Sequence, residues 1–166
     1  MMAERAMRRA DKRVDDGAWI ADVLRSGQVI YLGLVTPEGD PYVVPMGYGY
    51  GDGAIFLHGA NRGMKNDIIA SNPRVSFNVA VGVELERGEL GEDFSMKYRS
   101  VTGFGEIREI TELGEKNAAL AVLMRQYSGP HRDLTERNKD SVWVARIDIG
   151  RMTGKASGYP KPQAGS

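Results

Sequence analysis

The spacing of apolar residues predicts a short amphipathic helix near the start of the chain. Asp15 or Asp16 can cap this helix, and Gly27 can end it. Between these positions the apolar residues recur at helical spacing and fall on one face: Trp19, Ile20, Val23 and Leu24. The helix therefore has one side suited to packing against a core.

Three runs of strand character follow, at residues 28–36, 41–50 and 54–60. They are joined by PEGD and GDG, whose Gly and Asp residues suit the positive φ values of tight hairpin turns. A three-stranded antiparallel meander is the expected result. Pro45 lies inside the second run and cannot donate a ladder hydrogen bond. We therefore expect an edge, a bulge or a ligand-facing stretch at that point.

The second half of the chain alternates between helix and strand patterns. Asn72 and Pro73 stop a helical pattern, and Gly103 and Gly105 permit a bend within a long strand. A further helix is opened by Thr111, with Glu112 and Glu115 in its first turn, and should bury Leu120, Leu123, Met124 and Tyr127. The remaining elements are a helix at 62–72, strands at 74–85, 97–110 and 142–150, and a polar connection at 128–140. The last strand alternates Val142, Val144, Arg146 and Asp148 with Trp143, Ala145, Ile147 and Ile149, which predicts one buried face.

About six strands and three helices result, and many short strands joined by hairpins favour a closed barrel over an open parallel sheet. The expected class is mainly β with flanking helices (α+β). With 166 residues the chain has the length of one domain. We divide it into an N-terminal arm at 1–13, a folded domain at 14–158 and a flexible tail at 159–166.

Composition narrows the chemistry. The chain has no cysteine, which removes disulfides, thiolate metal sites and thiol nucleophiles, so any redox role needs a borrowed cofactor. Its 22 basic residues balance 22 acidic ones, so nucleic acid is not an expected partner. No apolar stretch approaches a membrane span and no signal peptide is evident, which predicts a cytoplasmic protein. Phosphate-binding loops, dinucleotide fingerprints, metal-binding motifs and serine-nucleophile motifs are also missing from the sequence.

The segment from His58 to Lys65 joins a strand end to a helix start and is the main candidate site. Backbone N–H groups at a helix N-terminus, together with Arg62 and Lys65, can bind an anion such as a phosphate. The alternative is that both are solvated charges on a helix. His58 can point at the bound group, or it can be a half-buried histidine hydrogen-bonded to a backbone carbonyl.

Two strand segments are further candidates. Where Pro45 interrupts the ladder, neighbouring backbone groups are available to a planar heterocycle, although an ordinary buried strand with a proline bulge gives the same pattern. At the start of the long strand, Lys97 and Arg99 share one side, while Tyr98 and Ser100 share the other. Only one of these pairs can face a ligand.

These motifs resemble those of the FMN-binding split-barrel proteins related to pyridoxamine 5′-phosphate oxidase. The run YLGLVTPEGDPYVVPMGYGYGDGAIFLHGANRGMKNDIIASNPRVSFNV carries most of the likeness. The segments SMKYRSVTGFGEI, LMRQYS and MTGKASG, with the arm MRRADKRV, resemble the branch related to nitroimidazole-resistance proteins. The resemblance extends from Met7 to Gly158 and implies a six-stranded antiparallel split β-barrel.

The resemblance also implies roles for individual residues. Arg62 and Lys65 would hold the FMN phosphate, and His58 would stand beside the cofactor or substrate. Members of this group form homodimers with two flavin sites at the interface, so the other subunit would supply residues such as Tyr98 or Arg99. The isoalloxazine would be lined by Val43, Val44, Pro45 and Met46.

One departure is informative: true pyridoxamine-phosphate oxidases end in a Trp- and Arg-containing segment that grips the substrate phosphate. This chain ends MTGKASGYPKP before its last residues, so we do not expect vitamin B6 oxidation.

The leading hypothesis is a homodimeric FMN oxidoreductase that takes electrons from a nicotinamide donor or another reductant. Its substrate would be small, flat and electron-poor, with nitroaromatics such as nitroimidazoles as one candidate, and His58 would polarise or protonate it. A second hypothesis is a non-catalytic flavin- or haem-binding module in which His58 is an axial haem ligand. A third is a barrel that binds a deazaflavin.

Overall fold

The computed structural model describes residues 7–128 and 142–162. Three α-helices lie beside the strands: α1 Gly17–Ser26, α2 Met64–Ser71 and α3 Leu113–Ser128. The seven strands are β1 Arg13–Val14, β2 Val29–Val35, β3 Pro41–Gly51, β4 Ala54–Gly59, β5 Arg74–Glu86, β6 Ser95–Glu109 and β7 Trp143–Ser157. No helix within the described part of the chain is long and apolar enough to cross a membrane.

Six of the strands close into a barrel. Their order is β7-β4-β3-β2-β5-β6, and β6 pairs again with β7, with all neighbours antiparallel. The predicted α+β class and six-stranded barrel are confirmed. The seventh strand, β1, adds to the far end of β7, where Arg13 is opposite Lys155. Strand β1 was not predicted, because two residues are too few to show the alternation of apolar and polar positions that marks a strand.

Helix α1 forms as its sequence predicts. The Asp16 side chain accepts a hydrogen bond from the Trp19 backbone N–H at 2.7 Å, and Ile20, Val23 and Leu24 are buried. Gly27 follows the end of the helix as predicted, but its φ of −81° lies outside the left-handed region in which glycine is favoured. A β-carbon at Gly27 would lie 2.5 Å from the Tyr48 hydroxyl oxygen, so this position needs glycine for close packing.

The β3–β4 hairpin shows the turn chemistry expected of Gly and Asp. Asp52 and Gly53 have φ values of 49° and 71°, and two successive positive values are typical of a two-residue type I′ turn. Gly39, in the β2–β3 connection, has a φ of 96°. The predicted antiparallel meander is therefore confirmed, with β3 between β2 and β4.

Helix α3 packs on a glycine face of β3. Alternate residues of a strand share a face, and in β3 these are Gly47, Gly49 and Gly51. A β-carbon at Gly49 would lie 2.9 Å from the Leu123 backbone nitrogen, and one at Gly51 would lie 3.0 Å from Val122. The close approach of the α3 backbone to β3 is therefore possible because these three positions are glycine.

The buried face of α3 differs in part from the prediction. Leu120 and Leu123 are buried as expected, but Met124 is only half-buried and Tyr127 is 40% exposed. Ala119 and Val122 take their places, because α3 turns these residues toward the glycine face. The helix is capped by Glu112 and not by Thr111, since the Glu112 carboxylate accepts hydrogen bonds from the N–H groups of Gly114 and Glu115 at 2.8 and 2.6 Å.

The last strand is longer than predicted, and it bends. Its pairing with β6 shifts register between Phe104 and Gly105, which leaves Gly150 without an opposite residue and forms a bulge. The expected bend near Gly105 is confirmed. The prediction of a single buried face was wrong at the start of β7, where both faces are buried. Trp143 faces the barrel core, and Val144 packs beneath α3.

We predict that Gly49→Ala lowers the free energy of unfolding by about 1–3 kcal/mol, because the new methyl group overlaps the Leu123 backbone. Urea unfolding at equilibrium measures the effect. Gly17→Ala is the matched control, since a β-carbon there meets no atom within 4 Å. Equal stability of the two variants would show that the glycine face does not govern the packing of α3.

Candidate functional site

One half of β3 is paired on a single side. Strand β2 pairs with residues 41–47, whereas β4 pairs only with Tyr48 to Gly51. Residues 41–47 therefore have no strand on their second side within the described part of the chain. Backbone N–H and C=O groups that point to this open side are available to other partners. Pro45 lies within this half, so the edge predicted from the proline is confirmed.

The open edge meets the start of α2 at Gly59, the last residue of β4. A β-carbon at Gly59 would lie 3.6 Å from Met46 Cε and 3.8 Å from Lys65 Nζ. We call this meeting point of Met46, Gly59 and Lys65, together with the preceding loop residues 60–63, the corner. The corner joins two of the sequence-predicted groups: the Val43–Met46 stretch and the Arg62–Lys65 stretch.

Lys65 is partly buried at the corner and has an aromatic neighbour. Its Nζ lies 3.8 Å from the ring centre of Trp143 and donates a hydrogen bond to Asn66 Oδ1 at 3.1 Å. No carboxylate of the described residues forms an ion pair with it. Burial lowers the pKa of Lys65, and the more distant Glu109 carboxylate partly opposes this. The ammonium is therefore held without a neutralising partner.

The first turn of α2 adds further donors. Gly63 precedes the helix at a φ of 123°, a value that favours glycine, and no side chain caps the helix. The first N–H groups of a helix have no partner within it, and the helix dipole adds partial positive charge there. Arg62 is exposed beside this end and has no hydrogen bond or ion pair among residues 7–128 and 142–162. Together these groups form a cationic site suited to an anion.

His58 lies on the opposite face of β4 from the corner. Leu57 and Gly59 face the barrel side, so His58 faces the α3 side with Phe56. It is exposed, and its ring meets Tyr127 edge-on with a centroid separation of 6.2 Å. The expected grouping of His58 with Arg62 and Lys65 is therefore not observed, because the thickness of one strand separates His58 from Lys65.

Tyr98 and Arg99 lie far from the corner of their own chain. Tyr98 pairs with Ser157 at one end of β7, and Gly59 pairs with Trp143 at the other end. Arg99 forms an ion pair with Asp22 at 3.0 Å. As predicted, Lys97 and Arg99 share one side, where both lie near the Tyr159 ring. Tyr98 and Arg99 could therefore reach only the corner of another subunit.

A groove of about 950 Å³ opens on the outer face of the barrel. Val43 lines it and belongs also to the open edge of β3. Across the groove, the Arg151 guanidinium lies 4.5 Å from the ring centre of Phe104. No local sequence pattern predicts this groove, because its walls come from five strands whose register is set only in the folded barrel.

Trp143 adjoins the corner through Lys65, and no sequence pattern indicated it as a site residue. The alternating pattern of the last strand predicted its burial, and it is only 4% exposed. Its position under Lys65 follows from its register opposite Gly59. The sequence contains no marker of that register, since 83 residues separate Gly59 from the start of β7.

The fold and the corner define a class: antiparallel six-stranded barrels with a cationic site where a strand edge meets a helix start. The sequence model of the pyridoxamine 5′-phosphate oxidase family matches residues 16–156. The chain belongs to this family. No curated protein matched the chain in the comparison.

Solved structures of similar fold agree with this assignment. A candidate 5-nitroimidazole antibiotic resistance protein from Bacteroides thetaiotaomicron VPI-5482 is 27% identical, with a TM-score of 0.76 over 86% of this chain and 85% of that one. The flavocytochrome Anf3 from Azotobacter vinelandii is 17% identical, with a TM-score of 0.78 over 93% of this chain and 73% of that one. The FAD and heme binding protein from Mycobacterium smegmatis is 20% identical, with a TM-score of 0.78 over 92% and 77%.

Proposed function

We propose that this protein binds FMN at the corner and acts as a cytoplasmic FMN-dependent oxidoreductase that reduces a small, electron-poor substrate. Nitroaromatics such as nitroimidazoles are the substrate class we favour, with a nicotinamide as electron donor. The observation that carries the proposal is the meeting of an open strand edge with an unneutralised cationic helix start at Gly59. Family membership and the names of the structural neighbours support the same choice.

The helix start fits the phosphate of FMN. A phosphate prefers the N–H groups of a helix N-terminus, and Arg62 and Lys65 add charge there. Because Lys65 forms no ion pair with a carboxylate among the described residues, a bound phosphate would be its first full counter-ion. A dianionic group would also offset the desolvation that lowers the pKa of Lys65.

The open edge of β3 fits the isoalloxazine. This ring system is flat and carries hydrogen-bond donors and acceptors along its rim, which suits the unpaired backbone groups of residues 41–47. Val44 and Met46 contribute partly buried apolar contacts beside that edge. Pro45 supplies no backbone N–H in this half of the strand.

Bound FMN would supply the electron transfer, because the chain has no cysteine for thiol–disulfide redox chemistry. The protein would bind the phosphate through Arg62 and Lys65 and orient the ring along β3. His58, exposed on the face of β4 opposite the corner, would donate a proton to a substrate bound on that side or polarise it.

We also propose that the active form is a homodimer. Exposed apolar side chains on β2 and β3 lie on one outer face, because Gly33 pairs with Val43 and Tyr31 with Pro45. These side chains are between 42% and 64% exposed: Val29, Tyr31, Val35 and Val43. A contiguous apolar face of this kind is typical of a protein interface. A second subunit on it would allow Tyr98 or Arg99 to approach the flavin of its partner.

Haem and deazaflavin remain the rival cofactors. Two neighbours are named for haem or flavocytochrome content and one as an F420 reductase. The exposure of His58 is compatible with an axial ligand. The corner favours FMN because it provides cations for a phosphate next to an edge for a flat ring.

The absorption spectrum of the purified protein is the first test. We expect flavin bands close to those of free FMN, and the mass of the extracted chromophore should equal that of FMN. A Soret band would contradict the proposal in favour of haem. If the extracted chromophore had the mass of a deazaflavin, FMN would be the wrong cofactor, but the proposed oxidoreductase class would stand.

We predict that the double variant Arg62→Ala/Lys65→Ala binds FMN at least about 100-fold more weakly, since each hydrogen bond to a charged group contributes about 1.5–3 kcal/mol. Quenching of FMN fluorescence on titration measures Kd. The double variant Arg87→Ala/Lys116→Ala removes the same charge away from the corner and should keep the wild-type Kd. Equal affinity of both double variants for FMN would reject the phosphate assignment.

We predict that His58→Ala keeps its stability within about 0.5 kcal/mol, because the side chain is exposed, and lowers kcat about 100-fold or more by removing a proton donor. Steady-state reduction of a nitroimidazole with a nicotinamide donor measures turnover. His58→Gln retains a hydrogen-bonding side chain but cannot deliver a proton in the same way. If both variants turn over at the wild-type rate, His58 has a structural role only.

A further inference from the structure

We propose that Trp143 is a positioning residue that holds Lys65 at the corner for the phosphate of the cofactor. This inference rests on the proposed FMN function and deepens it, because it assigns the phosphate site a residue that does not itself touch the phosphate. The observation behind it is the 3.8 Å separation between Lys65 Nζ and the ring centre of Trp143. At that distance the ammonium lies against the negative face of the indole.

The location of the ring is fixed by the barrel. Trp143 is the first residue of β7, is only 4% exposed and belongs to the main core cluster. It lies opposite Gly59 in the β4–β7 ladder. The Lys65 ammonium lies beside Gly59, 3.8 Å from the position that a β-carbon would take there, which is an ordinary contact distance. The register of Trp143 opposite Gly59 therefore places the indole under the ammonium.

An aromatic neighbour suits a phosphate-binding lysine better than a carboxylate does. A carboxylate would neutralise the ammonium and compete with an incoming anion, whereas an indole face attracts the cation and uses none of its N–H donors. One of the three donors goes to Asn66 Oδ1 at 3.1 Å, which leaves two for a phosphate. Glu109 acts on Lys65 only at longer range.

Positioning also reduces the entropy lost on binding. A lysine side chain has many rotamers, and ordering it when the ligand arrives weakens affinity. With the ammonium already on the indole, this ordering takes place during folding. Arg62, which is exposed and has no partner among the described residues, gains no such advantage. Lys65 is therefore the preorganised half of the phosphate site.

The test is a double-mutant cycle on FMN affinity. Trp143→Leu should raise the Kd for FMN about 3- to 30-fold, the equivalent of a desolvated cation–π contact. The same substitution in a Lys65→Met background should have no further effect, because Trp143 acts through Lys65. Trp19→Leu, at the other tryptophan, is the control and should keep the wild-type Kd. Trp143→Phe, with a weaker ring quadrupole, should give an intermediate loss and serves where the leucine variant does not fold.

A second readout does not depend on the cofactor. The ring current of Trp143 should shift the Lys65 ε-proton resonances upfield in the NMR spectrum of the cofactor-free protein, and Trp143→Leu should abolish that shift. If Lys65→Met leaves FMN affinity unchanged, the phosphate assignment of the proposed function fails and this inference with it. Two results would overturn only the positioning role. In the first, Lys65→Met weakens FMN binding while the Trp143 variants bind FMN with the wild-type Kd. In the second, Trp143→Leu raises the Kd by the same factor in the wild-type and in the Lys65→Met background.

Discussion

The one-sided pairing of β3 is the constraint on which the rest of the structure depends. Strand β2 pairs with its first half and β4 with its second half, so the barrel wall opens where the two pairings part. An unpaired edge invites association with other strands, and proteins protect such edges with proline or with a covering element. Pro45 and the start of α2 serve this purpose here. The opening that results is also the space in which a flat ligand can reach the backbone.

Much of this fold could be predicted from sequence, and the successes share a cause. Hairpins follow from local turn chemistry, as the positive φ of Asp52 and Gly53 shows. Pro45 indicated an interruption of the ladder because proline has no N–H to donate. The errors concern relations between distant elements. Gly27 is needed for contact with Tyr48, and Tyr127 is exposed because α3 is oriented by the glycines of β3.

The sequence predicted individual residues of the candidate site but not how they are arranged in space. The sequence indicated Lys65 and His58 together, since they are near neighbours in one loop-bearing segment. Alternation along β4 nevertheless places His58 on the α3 side and turns Gly59 toward Lys65. Trp143 entered the site through a strand register that no local pattern specifies. Local chemistry thus identifies candidates, whereas topology decides which of them meet.

The surroundings of Lys65 differ from those of the paired surface cations. Arg99 has Asp22 as its partner, and Lys97 has Glu86. Lys65 has an indole instead, and burial disfavours its charged form. An open strand edge and a desolvated ammonium both cost stability in the ligand-free chain. Features that weaken a fold locally are most readily explained by a ligand that removes the cost, and an anion attached to a flat ring would satisfy both at once.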